Sequence, residues 1–98
     1  MSQEKNGSNS RVLLDNGHVR VVELYLRPGD VEPRHQHPYN FLVYVLSPAR
    51  LRLTEFPACV SNIVDLQAGE VHWKGPVEHA AENIGDSVLH EIMVEIKP

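Results

Sequence analysis

Turn signals break this chain into segments too short for a long helix, and that spacing constrains its fold more than any other feature. DNG at residues 15–17, RPGD at 27–30, SPAR at 47–50, QAGE at 67–70, KGP at 74–76 and NIGD at 83–86 separate runs rich in Val, Leu, Ile and Tyr. In RPGD, Pro28 presets the φ of the second turn position and Gly29 supplies the positive φ of the third, which is type II turn chemistry. The pattern predicts strands near residues 12–14, 19–26, 31–37, 41–46, 51–56, 63–66, 71–74, 79–83 and 88–96. Many short strands in 98 residues must hide their edges, and the solutions are a sandwich, a jelly roll or a closed barrel. The expected class is therefore all-β. In the last strand Val88, His90, Ile92, Val94 and Ile96 alternate with Leu89, Glu91, Met93 and Glu95, and the first set is expected to face the core.

Length bounds the organisation to one domain, read as a disordered tail over residues 1–10 and a domain over 11–98. No apolar run reaches the ~20 residues of a membrane-spanning helix, and the polar N-terminus does not read as a secretion signal, so a cytoplasmic location is expected. A net charge of −4 with thinly spread Lys and Arg offers no stripe for phosphates, so neither nucleic acid nor membrane is an expected partner. Cys59 stands alone without an adjacent base, and no G-x-S-x-G elbow, phosphate loop or C-x-x-C pair is present.

The chemistry concentrates in histidine. His35 and His37, two apart in a strand, present both imidazoles to one side of the sheet. Alone, such a pair is more often a solvated surface feature. His79 opens another strand and shares a face with Ala81 and Asn83. Three imidazoles from two strands suit Zn, Fe, Ni or Cu with positions open for water or substrate.

These residues carry a resemblance. Gly29 followed after five residues by His35-Gln36-His37 is similar to the first half of cupin motif one, and His79 followed after three residues by Asn83 is similar to the end of motif two. The likeness spans about residues 19–96 and resembles the small cupins. It implies a cupin-type jelly roll or double-stranded β-barrel, commonly homodimeric, with a divalent metal (Fe, Zn, Ni or Mn) held inside by His35, His37 and His79. Phe41 stands at the position of the motif-one glutamate, and three neutral histidines would leave the ion's full charge to favour an anionic or chelating ligand.

Phe41, Tyr39, Trp73, Asn83 and His90 are the further pocket candidates, each weighed against a structural role: a core aromatic, a bend residue, or a core histidine satisfied by one hydrogen bond. If Trp73 faces in, His72 faces out, and the sequence reading puts His72 on the surface. Glu23, Glu55 and Glu78 are imaginable fourth ligands, though Glu78 should point away from its neighbour His79. Two functions remain open: a metal-dependent oxygenase or isomerase of a small polar metabolite, or a non-catalytic small-ligand binder or sensor with a degenerate metal site.

Overall fold

The computed structural model describes residues 8–98, and among them the chain forms nine strands and no helix. They are β1 (Ser8–Asp15), β2 (Val19–Leu26), β3 (Val31–His37), β4 (Phe41–Ser47), β5 (Ala49–Phe56), β6 (Val60–Leu66), β7 (Val71–Lys74), β8 (Val77–Asn83) and β9 (Leu89–Ile96). Every expected strand is present, and β2, β3 and β7 have the expected bounds. Ser8 to Ser10, expected in the tail, instead pair with Leu26 to Leu24 of β2; the rest of that expectation lies outside the described residues. No helix among the described residues is long and apolar enough to cross a membrane.

The strands form a five-stranded sheet, β1-β2-β9-β4-β7, and a four-stranded sheet, β3-β8-β5-β6, with antiparallel pairing throughout. The sheets face one another as a jelly roll and are not hydrogen-bonded into a closed barrel. The RPGD turn adopts the expected geometry: Asp30 N donates to Arg27 O at 2.9 Å and Gly29 has a φ of +87°. QAGE repeats it, with Glu70 N donating to Gln67 O at 3.2 Å and Gly69 at +91°.

Register decides what each strand buries. Leu24, Leu26 and Leu89 of the larger sheet pack with Ala49 and Leu51 of the smaller, and Phe41, Val43 and Val45 form a second buried cluster. The last strand corrects the expectation from its alternation. Leu89, Glu91, Met93 and Glu95 face between the sheets, while His90, Ile92 and Val94 lie opposite Tyr25, Glu23 and Val21 on the outer face. The outer faces differ in kind. Cross-strand pairs Arg50–Asp65, Arg52–Glu82 and Arg34–Glu78 solvate the smaller sheet, whereas Tyr44, Val71 and Trp73 stand exposed on the larger one.

Asn83 has a different place from the one expected, as it does not line the cavity between the sheets. Its Nδ2 donates to Leu26 O at 2.8 Å and Ser87 O at 2.9 Å, and its Oδ1 accepts from Gly85 N at 3.0 Å. Only 1% exposed, it ties the ends of β2 and β8 to the β8–β9 turn. A buried hydrogen bond contributes about 1 kcal/mol, so Asn83→Ala is expected to cost about 3 kcal/mol in denaturant unfolding while leaving metal content unchanged.

Candidate metal centre

His35 and His79 sit directly opposite one another on β3 and β8, and His37 follows on the same face of β3. The ring centroids are 4.7 Å apart for His35–His37 and His35–His79 and 5.0 Å for His37–His79. One ligand atom from each ring falls within 4.8 Å of the others. The three expected histidines thus form one cluster, of which His37 and His79 line a cavity of about 330 Å³ between the sheets, within the range of small-molecule sites.

The outer nitrogens of two rings are already engaged. His35 Nδ1 lies 2.7 Å from Pro33 O, and His37 Nδ1 lies 3.2 Å from Glu95 Oε2. Carbonyl and carboxylate oxygens accept, so in both rings Nδ1 carries the hydrogen and Nε2 keeps its lone pair. Yet the two Nε2 atoms stand 2.9 Å apart. Two lone pairs at that distance repel unless a cation lies between them, either a shared proton or a metal ion. An imidazole whose far nitrogen is held by carbonyl or carboxylate is the usual form of a metal-bound histidine.

Protonation favours the same state. Burial lowers the pKa of His37, against the raising effect of Glu95, and lowers that of His79 to about 4, with His35, His37 and Lys74 adding repulsion. Both rings are therefore neutral near pH 7, the form that binds metal without first losing a proton.

The remaining candidates divide. Phe41 is 2% exposed, lines the cavity and stacks on His37 with centroids 4.4 Å apart. Trp73 does not line it; 62% exposed, it pairs with Leu42 on the outer face, and His72 turns inward instead. The cause is parity: Phe41 and Val43 face in, and their partners across the ladder are Lys74 and His72. His90 is also outside, stacked on Tyr25 at 4.1 Å and 2.8 Å from Glu23 Oε2. Tyr39 lies in the β3–β4 bend, 37% exposed and off the cavity wall. Of the imagined fourth ligands, Glu23 pairs with Arg11 and His90, and Glu78 with Arg34, all off the cavity wall, and Glu55 does not line it.

Sequence reasoning missed the cavity's own charges: Arg20, Glu32, Lys74, Glu91 and Glu95. Glu32 was hidden by a bulge. Between Glu32↔Ala81 and His35↔His79 the ladder advances three residues on β3 and two on β8, so Glu32 and His35 share a face despite their odd separation. Pro33, lacking an N–H inside a strand, was the available signal. Burial and the charge of Glu32 push the Glu91 carboxyl up to about 8, which keeps it protonated near neutrality.

Comparison with known proteins agrees with this architecture. A cupin domain from Bordetella pertussis superposes with a TM-score of 0.84 at 28% identity, covering 93% of this chain and 94% of that one. An RmlC-like cupin family protein with a double-stranded β-helix fold from Methanocaldococcus jannaschii gives 0.74 at 16% identity, covering 99% and 86%. The DMSP lyase DddQ from Ruegeria pomeroyi gives 0.72 at 16% identity, covering 91% of this chain and 46% of the enzyme. No family model and no curated protein sequence matches. The chain shares its two facing antiparallel sheets with these cupin-fold proteins. The chain has the cupin fold.

The buried acid and the buried imidazole act on stability with opposite sign. His79 falls from 6.5 in the unfolded chain to about 4 in the folded one, so the unfolded chain takes up the extra proton and stability drops as pH falls through that interval. Glu91 rises from 4.5 to about 8, so the folded chain keeps a proton that the unfolded chain releases, and stability drops as pH rises through that interval. Glu91→Gln removes the second effect. In thermal unfolding of metal-free protein, its gain over the parent is expected to be larger at about pH 8.5 than at about pH 5. Equal differences at both would contradict a buried, protonated Glu91.

Proposed function

We propose that this chain is a metal-binding cupin in which His35, His37 and His79 hold a divalent ion, Fe, Zn, Ni or Mn, and that it acts on a small anionic or chelating metabolite. The observation that carries the reading is the 2.9 Å approach of His35 Nε2 and His37 Nε2 with both Nδ1 atoms held from behind. When bound, such an ion supplies a Lewis acid that polarises a ligand oxygen, the chemistry an isomerase or oxygenase of this fold would need. The chain's own residues do the rest. Pro33 O and Glu95 fix the orientation of the two rings. Arg20 and Lys74 put positive charge on the cavity wall, which favours an anion, and Glu91 holds a proton it could donate to one.

The alternative is a degenerate, non-catalytic binding site in which the Phe41 ring takes the place of the metal. The cavity argues against it. Phe41 packs on the face of His37 and leaves about 330 Å³ open beside it. Phe41 forms one wall of that cavity and does not fill it.

Metal analysis by mass spectrometry of protein prepared without an affinity tag tests the proposal. About one equivalent is expected after loading, with most of it lost in His35→Ala and His79→Ala; less than about a tenth of an equivalent in the parent would sink the metal reading.

The apolar outer face of the larger sheet supports a homodimer. Tyr44, Val71 and Trp73 are 42%, 61% and 62% exposed there, beside Leu42, Ile92 and Val94. Light scattering is expected to give twice the chain mass, falling to the chain mass in the Tyr44→Glu, Trp73→Glu double variant. A monomeric parent would refute the dimer.

A further inference from the structure

Three neutral imidazoles leave a divalent ion's charge uncompensated, and three carboxyl groups line the cavity beside them: Glu32, Glu91 and Glu95. Geometry separates the three. Glu95 Oε2 lies against His37 Nδ1, on the far side of that ring from Nε2, so it orients the ring and does not face an ion held by Nε2. Glu91 projects from β9 in the opposite sheet, in register with Leu24 and Val45. Glu32 stands on the same strand and face as the histidines, with Oε1 3.8 Å from His35 Nε2.

That distance is meaningful for coordination. With metal–ligand bonds of about 2.1 Å, two donors on one ion lie between about 3 Å apart at a right angle and about 4.2 Å when opposed. The 3.8 Å from Glu32 Oε1 to His35 Nε2 falls inside this range, and the 2.9 Å between the two Nε2 atoms falls at its right-angle end. The Glu32 carboxyl makes no hydrogen bond among the described residues, and its neighbour across the ladder is the methyl group of Ala81. The Glu32 side chain is half-buried, 26% exposed at the cavity, which leaves its carboxylate open to a cation there.

We propose that Glu32 is a ligand of the ion held by His35, His37 and His79, so that the site is three histidines and one carboxylate supplied from before the H-x-H pair. The inference rests on the three-histidine reading. The β3 bulge makes it possible, because without the extra residue Glu32 and His35 would point to opposite sides of the sheet. Carboxylate coordination lowers the net charge of the centre by one. On a six-coordinate ion it leaves two open positions, which fits a bidentate chelating anion better than a single large anionic group.

Cobalt(II) is a suitable probe, because its visible absorption reports the ligand set and its affinity can be read by chelator competition. Glu32→Gln, nearly equal in volume, is expected to weaken cobalt binding at least about tenfold, the smallest loss usual even for groups that only support a ligand, and to change the absorption bands. His35→Ala tests the underlying reading separately. If it loses cobalt while Glu32→Gln keeps both the parent's affinity and its spectrum, the histidine site stands and Glu32 is not a ligand. If the parent itself fails to bind cobalt, both readings fall. Should Glu32→Gln not fold, the infrared difference spectrum of unaltered protein on zinc addition decides: a shift of a carboxyl band to that of a coordinated carboxylate is expected, and its absence overturns the assignment.

Discussion

The site depends on one ladder, the pairing of β3 with β8 that sets His35 opposite His79. A one-residue slip would send His79, or both His35 and His37, to the outer face, because side chains alternate with a period of two. Several contacts hold that register. The RPGD turn starts β3, and Gly29 N donates to Asn83 O while Asn83 N donates to Asp30 O, so the start of β3 is clamped to the end of β8. On the outer face Arg34 and Glu78 close at 2.7 Å across the same two strands. The bulge then resets the alternation once, between Glu32 and His35, which keeps the histidines and a carboxylate on the inner face.

A cavity lined with charge between two sheets is an unusual use of a small core. Leu24, Leu51 and Leu89 of one apolar cluster and Phe41 and Val43 of the other line the same cavity as Glu32, Glu91, Glu95, His37 and His79, so apolar and ionisable groups share one interior. Burial pushes four of these groups toward the neutral form: acids are raised at Glu32 and Glu91, and imidazoles lowered at His37 and His79. A divalent cation reverses this for the acids and uses the neutral state of the imidazoles.

The strands, the turns and the three histidines were legible in the sequence, because strand length, turn chemistry and the two-residue spacing of His35 and His37 are local signals. The facing of β7 and β9 was not. In β9 the apolar set His90, Ile92 and Val94 looked like the core face, yet Leu89, Glu91, Met93 and Glu95 point inward. Both faces of β9 are mixed: Leu89 and Met93 face in beside Glu91 and Glu95, and Ile92 and Val94 face out beside His90, so alternation alone does not pick the core face. Trp73 and His72 exchange places for the same reason. Asn83 matched a motif position, but its side chain is spent on backbone groups at the strand ends, which only the three-dimensional closure of the β8–β9 turn discloses. The missing carboxylate at Phe41 is likewise a local reading, and the candidate that replaces it is visible only through a bulge.

Crystals of the protein grown with zinc and measured at the zinc absorption edge test the central claim most directly. An anomalous peak is expected between the rings of His35, His37 and His79, with nitrogen distances of about 2.0–2.1 Å. Crystals that bind zinc only at other surfaces, with the His35 and His37 Nε2 atoms still facing each other across a hydrogen bond, would contradict it.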